Sequence, residues 1–285
     1  MKLQDKRAVI TGASQGLGLA IAEAFAGEGA ELVLCARTES DLERAAQRVR
    51  YAGASKAGHY SADVSDPEQV QRLGIYAKQH LGGVDILVCN AGSYGPKGRM
   101  EEVDWNEWEF AIRVNLLGTA LCCREFLPAL RNSERGKILL ISGGGATRPL
   151  PFLSAYASAK AAVVRLGETL AEELREARID VNMVAPGALN TRMLGEILAA
   201  GPAAVGEQFY RQALRQKESG GTPLQQAAQL CVHLASSTAD GITGRLISAV
   251  WDPWPKLASF ADELRDSDIY TLRRITPEDR GKKWE

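Results

Sequence analysis

The chain has 285 residues, 45% of them hydrophobic and 24% charged, with a formal net charge of −1. That length can bury a sizeable core in one large domain or two small ones, and the near-neutral charge excludes a basic nucleic-acid footprint. No run of about 18 apolar residues marks a membrane span, and the polar stretch Met1 to Arg7 lacks the apolar segment of a signal peptide, which sets the expectation of a cytoplasmic protein.

Short apolar runs bounded by turn residues predict strands at Arg7–Thr11, Glu31–Ala36, Gly58–Val64, Val84–Asn90, Lys137–Ser142, Ile179–Val184 and Arg245–Val250. Amphipathic patterns between them predict helices at Leu17–Glu28, Glu39–Tyr51, Pro67–His80, Trp105–Leu130, Ser154–Ala177 and Pro223–Ser236. Alternation of this kind predicts a doubly wound parallel sheet with right-handed crossovers in a single α/β domain of three layers. Near-continuous apolar runs such as Ile86-Leu87-Val88-Cys89 suit strands covered on both faces. Two regions stand apart. Residues 188–222 carry extra helical signal and several glycines, and read as a substrate-side lid; residues 251–285 read as a C-terminal extension beyond a domain of residues 1–250. The five cysteines, Cys35, Cys89, Cys122, Cys123 and Cys231, all lie in apolar segments and read as buried reduced thiols. No spacing of Cys or His suggests a metal site, and His59, His80 and His233 share no motif.

Thr11-Gly12-Ala13-Ser14-Gln15-Gly16-Leu17-Gly18 follows the first strand and opens the first helix. Glycine also makes ordinary turns, but at this junction it lets backbone approach a pyrophosphate beside a helix N-terminus, so Gly12, Ser14, Gln15, Gly16, Leu17 and Gly18 are candidate cofactor-binding residues. The second strand ends Cys35-Ala36-Arg37, where a preference for NAD usually places a carboxylate. A guanidinium there can grip a 2′-phosphate, so NADP(H) is expected over NAD(H), with Ser14 as a second phosphate contact; the competing reading of Arg37 is a solvated side chain at a helix start.

With these residues in view the chain resembles the short-chain dehydrogenase/reductase family in its single-domain Rossmann form, over about residues 5–250. The resemblance rests on TGxxxGxG at Thr11–Gly18, Asp63-Val64, Asn90-Ala91-Gly92, Asn115 within Val114-Asn115-Leu116, YxxxK at Tyr156–Lys160, and Pro186-Gly187-Ala188-Leu189-Asn190-Thr191. It implies that Asp63 and Val64 border the adenine, that Asn90, Ala91 and Gly92 line the cofactor groove, and that Pro186, Gly187 and Thr191 hold the nicotinamide. It also implies a homodimer or homotetramer built on the helices Trp105–Leu130 and Ser154–Ala177.

Tyr156 and Lys160 are four residues apart on a helical pattern and share one face. A free phenol, with a pKa of about 10, is too weak an acid near neutrality, and a nearby ammonium lowers that value. Tyr156 is therefore the expected acid/base on a carbonyl or alcohol oxygen and Lys160 its tuning cation; the resemblance adds a ribose contact for Lys160 and a helix kink and proton relay for Asn115. One departure stands out. The family places a serine thirteen positions before the tyrosine, and here that position is Gly143, with Ser142 one residue earlier. On a regular strand that shift reverses the side chain. Three readings stay open: Ser142 re-aimed by a bulge in the glycine run, which is favoured; a glycine N–H, Thr147 or Ser154 as the donor; or no donor at all.

Leu150, Pro151, Phe152, Leu153, Leu189, Met193, Leu194, Ile197, Phe209 and Tyr210 predict an apolar lining that suits a ketone or secondary alcohol with hydrocarbon bulk. The expected function is an NADP(H)-dependent oxidoreductase with a small-molecule substrate; the alternative is a catalytically weak NADP(H)-binding sensor or scaffold.

Overall fold

The computed structural model describes residues 1–284; Glu285, the last residue of the expected extension, lies outside the described residues. Seven strands form one parallel sheet in the order β3-β2-β1-β4-β5-β6-β7. They are β1 (Arg7–Thr11), β2 (Glu31–Ala36), β3 (Ala57–Ser61), β4 (Ile86–Cys89), β5 (Gly136–Ile141), β6 (Ile179–Ala185) and β7 (Leu246–Ser248). Period-2 alternation splits their side chains between two cores: Ala8, Ile10, Leu32, Leu34, Ile86 and Val88 face one helical layer, while Val9, Val33, Leu87, Ile138 and Leu140 face the other. The first layer holds α1 (Gly16–Gly27), α2 (Glu39–Tyr51) and α9 (Leu224–Ala235); the second holds α3 (Pro67–Leu81), α5 (Gly118–Leu130) and α6 (Ser154–Glu173). Helix α3 shows the local logic. Asp66 caps Glu68 and Gln69 N–H, Pro67 sits in the first turn, and Gly82 ends the helix at φ 75°.

The strand order reverses between β1 and β4, so the helix connections diverge there and leave a crevice at the carboxyl ends of the strands. The three-layer expectation therefore holds, and its departures have local causes. Strand β3 stops at Ser61 because the Asp63 carboxylate accepts from the Ser65 N–H at 2.9 Å and hydroxyl at 2.7 Å and turns the chain away. The long helix expected at Trp105–Leu130 is three pieces: α4 (Trp105–Ile112), a π-helical turn at Arg113–Leu117, and α5. The 188–222 region contains two helices, α7 (Arg192–Val205) and α8 (Glu207–Ser219), which pack with Leu153 and Tyr156 in a third apolar cluster.

Beyond β7 the chain stays on the body of the protein. Leu257 and Leu264 join the core of α1 and α9. The Leu246 N–H donates to Tyr270 C=O at 2.8 Å, so the tail covers the outer edge of the last strand. The Arg245 guanidinium fastens it by donating to Ser267 C=O at 2.9 Å and Ile269 C=O at 2.8 Å. Asn182 is a structural hydrogen-bonder here, donating to Ile242 C=O at 2.7 Å.

At the opposite end of the sheet from the crevice, Asp180 is buried and holds the buried Lys137 ammonium at 2.8 Å and Arg135 at 3.1 Å. Asp240 also holds the Lys137 ammonium, at 2.7 Å, so removing Asp180 leaves that buried charge with one carboxylate instead of two. Asp180→Ala, which removes the charged hydrogen bonds from Lys137 and Arg135, is expected to lower stability by about 2 kcal/mol in urea unfolding; a loss below about 0.5 kcal/mol contradicts this account.

Candidate active site

The crevice holds a cavity of about 1780 Å³. The glycines at its floor are forced by close approach. Gly12 has φ +62°, and a Cβ on Gly18 would lie 2.2 Å from the Gly12 carbonyl oxygen and 2.5 Å from the Asn90 amide nitrogen. Asn90 clamps this loop to β1 by donating to Thr11 C=O and Gly12 C=O, each at 3.0 Å, and the Thr11 hydroxyl accepts from Asn90 N–H at 3.0 Å and Ala91 N–H at 3.1 Å. Gln15 begins α1 without any side-chain cap, so the first N–H groups of the helix are free for an anion. Thr191, which begins α7, faces Gly16 across the groove, and Gly187 takes φ +90° where a Cβ would meet Val250. Gly12, Ser14, Gln15, Gly16, Leu17, Asp63, Val64, Asn90, Ala91, Gly92, Pro186, Gly187 and Thr191 all line this one cavity. Gly18 lies beneath it as a packing residue. The floor thus fits a dinucleotide: uncapped helix N–H groups beside a glycine loop for the pyrophosphate, and a groove running across the switch point of the sheet.

Arg37 and Ser14 line the same cavity, Arg37 directly after the end of β2. Two neighbouring arginines are engaged, Arg44 with Asp41 and Arg48 with Glu23. The Arg37 guanidinium has no acidic partner among the described residues.

Tyr156 and Lys160 sit on the first turns of α6, both buried, at the other end of the cavity. The Lys160 ammonium donates to Ile141 C=O at 2.8 Å and lies 5.7 Å from the Tyr156 ring centroid. Burial pushes Lys160 down to about 8 and pushes the Tyr156 phenol well above its ordinary value. Desolvation therefore dominates at Tyr156 in this structure, whereas the sequence led to the expectation of a depressed value. Asn115 is fully buried in the π-helical turn. Its amide donates to Ser93 C=O at 2.7 Å and Ala111 C=O at 2.8 Å, and its side-chain oxygen lies against Gly92 beside the Lys160 amine. The kink expected at Asn115 thus takes the form of a π-bulge, a frequent device at functional sites.

The glycine run after β5 has a different geometry from the favoured sequence reading. The Ser142 N–H donates to Val184 C=O at 2.9 Å, which continues the β5–β6 ladder without a bulge. A Cβ on Gly143 would lie 2.3 Å from the Tyr156 hydroxyl. Position 143 thus faces Tyr156, while Ser142 also lines the cavity and its buried hydroxyl finds no hydrogen-bond partner among the described residues. Of the other donors considered, the Ser154 hydroxyl already accepts from the Trp108 indole at 3.0 Å.

Most of the expected apolar lining is present, but Leu153 and Tyr210 lie behind the wall in the third cluster. Sequence reasoning missed Tyr94, which packs edge-on against Tyr156 with ring centroids 4.7 Å apart. Its signal was its place directly after Asn90-Ala91-Gly92, at the carboxyl end of a central strand. Gln208, Gln212 and Gln216 were also missed; they recur every four residues and turn one face of α8 to the cavity. Elsewhere, the structure brings His59 to 3.0 Å from Glu39, with Glu43 close by, a grouping the separate sequence positions did not suggest. All five cysteines are free and buried. Among the described residues no helix is long and apolar enough to cross a membrane.

Residues 6–201 match the short chain dehydrogenase family. Dehydrogenase/reductase SDR family member 4 of Sus scrofa is 31% identical over 245 residues, 86% of each chain. Short chain dehydrogenase pigC of Monascus ruber is 32% identical over 279 residues, covering 96% of this chain and 88% of the relative. Among solved structures, L-sorbose reductase from Gluconobacter frateurii, complexed with NADPH and L-sorbose, superposes with a TM-score of 0.77 at 30% identity, over 87% of this chain and 97% of that one. The chain belongs to the short-chain dehydrogenase/reductase family and has its Rossmann fold. It is an oxidoreductase of that family, whose fold binds nicotinamide cofactors.

Proposed function

We propose that the chain moves a hydride between NADP(H) and the carbon of a ketone or secondary alcohol, with Tyr156 as acid/base. One observation carries this reading: a buried phenol with an unengaged hydroxyl, stacked with a buried ammonium, stands in the same cavity as the dinucleotide cradle. Bound nicotinamide supplies or accepts the hydride. In reduction Tyr156 donates its proton to the carbonyl oxygen; in oxidation it takes that proton back. Lys160 holds positive charge near the phenol and faces the ribose end of the groove, and Asn115 fixes the loop that carries Gly92 and Ser93. The test is turnover of a panel of ketones and alcohols by the native chain and by Tyr156→Phe; loss in the variant with unchanged cofactor affinity supports the reading, and equal turnover ends it.

A second reading, a cofactor-binding protein with little chemistry, draws on Gly143, which puts no side-chain donor opposite Tyr156. Tight NADPH binding by a native chain that turns over nothing on the panel selects it.

NADP(H) is favoured over NAD(H) because Arg37 is exposed in the groove without an acidic partner. A hydrogen bond to a charged group is worth roughly 1.5–3 kcal/mol, so Arg37→Ala is expected to weaken NADPH binding by about 10- to 100-fold while leaving NADH within about twofold. Equal weakening of both cofactors in a fluorescence titration refutes the assignment. The 188–222 helices act as a lid over the bound substrate. The chain assembles as a homodimer or homotetramer through the α4–α6 side, where Trp105, Phe110 and Leu117 are exposed.

A further inference from the structure

Resting on the reading of Tyr156 as acid/base, we infer that Tyr94 supplies the second hydrogen bond to the reacting oxygen, the role the missing serine side chain at position 143 leaves open. As hydride reaches the carbonyl carbon, the oxygen gains negative charge and can accept from two donors at once. Tyr156 is one of them. Gly143 has no side chain, and the phenol occupies the space one would need, 2.3 Å from a notional Cβ. The buried Ser142 hydroxyl lies one position off the place that faces the phenol, and Ser142→Ala tests it directly.

Tyr94 brings a second phenol to the same part of the cavity. Its ring stands at 65° to that of Tyr156, with centroids 4.7 Å apart, and both residues line the cavity. Neither phenol hydroxyl has a hydrogen-bond partner among the described residues. Burial and the nearby Glu196 push Tyr94 up to about 12, so it stays protonated near neutrality and acts as a donor rather than a base.

The loop that carries Tyr94 is also braced. Ser93 exchanges hydrogen bonds with the buried Asn115, its C=O accepting at 2.7 Å and its N–H donating at 3.3 Å. Lys97 donates to Gly95 C=O at 3.1 Å, lies 6.0 Å from the Tyr94 ring centroid, and pairs with Glu196 of α7 at 3.7 Å. Gly95, at φ +68°, lets the loop close onto α4, since a Cβ there would sit 2.5 Å from the Ala111 methyl. A donor held this way is oriented before the substrate arrives, which is the condition for electrostatic help in the transition state.

The experiment compares the native chain with Tyr94→Phe, Ser142→Ala and Tyr156→Phe, using NADPH and a panel of alkyl and aryl ketones. Tyr94→Phe keeps the ring and its packing; NADPH affinity by fluorescence checks that the site is intact. The expected result is a fall in kcat of about 10²–10³ with little change in KM, the size seen when one oxyanion donor is removed, while Ser142→Ala stays near native. Tyr94→Phe within threefold of native, or the loss falling on Ser142→Ala, overturns the role of Tyr94. If Tyr156→Phe is inactive in that case, only this inference has failed. A native-like Tyr156→Phe, or a native chain that binds NADPH and reduces nothing, overturns the enzyme reading and the Tyr94 role with it.

Discussion

Replacing Tyr156 by phenylalanine is expected to lower kcat by about 10³ or more while NADPH binds as before; general acid–base groups contribute roughly 10²–10⁴ in rate. The substitution is clean because the hydroxyl engages no other side chain among the described residues, so its removal orphans no partner there and the ring keeps its contacts with Tyr94 and Lys160. The direction of the phenol's shift adds a second expectation. Burial holds the phenol protonated far above neutrality in the free chain. Reduction, which begins with Tyr156 as an acid, therefore runs with its proton already in place at pH 7. Oxidation needs the phenolate, so its rate climbs with pH, helped by any positive charge brought to the groove. Steady-state kinetics in both directions from pH 6 to 9 check this. A Tyr156→Phe variant with native kcat, or an oxidation rate flat over that range, contradicts the assignment.

The order of elements was legible because each strand here is a short apolar block and each helix an amphipathic one, and parallel crossovers leave little freedom in how they join. Residues that act through backbone position were legible too. Gly12 and Gly18 stand where a Cβ cannot fit, and Asn90 stands where two loops must be clamped. What escaped depends on through-space contacts. Tyr94 and Tyr156 are far apart in the chain, and nothing in a loop of Ser93-Tyr94-Gly95 shows that its ring will meet the Tyr156 phenol. The π-bulge at Asn115 was invisible to a helical pattern, because Trp105–Leu130 reads as continuous whether one turn contains four residues or five. The Ser142 expectation shows the limit most clearly. Three consecutive glycines permit a bulge, but the ladder bond from Ser142 N–H to Val184 C=O satisfies the backbone without one.

Lys160→Met is expected to do two opposite things: remove most of the turnover and stabilise the free chain at pH 7. The native ammonium is 5% exposed, and its only hydrogen bond among the described residues goes to Ile141 C=O at 2.8 Å. Burial lowers it from an ordinary 10.5 to about 8. At about 1.36 kcal/mol per pK unit, holding the charge inside at pH 7 costs on the order of 3 kcal/mol. Methionine fills a similar volume without that cost but gives up the hydrogen bond, worth about 1 kcal/mol, so a net gain of about 2 kcal/mol is expected in urea unfolding at pH 7. The sign can be checked by pH. Below about 8 the native lysine is charged in both folded and unfolded chains and the full penalty is present. Between about 8 and 10.5 the unfolded chain holds more protons than the folded one, so native stability rises with pH and the advantage of methionine fades. Activity moves the other way. Without the ammonium, nothing among the buried groups around Tyr156 favours its phenolate, and oxidation should slow by about 10² or more, the scale of a lost acid–base partner. A variant no more stable than native at pH 7 would show that the buried charge is not costly, and one that keeps native oxidation rates would show that it is not used.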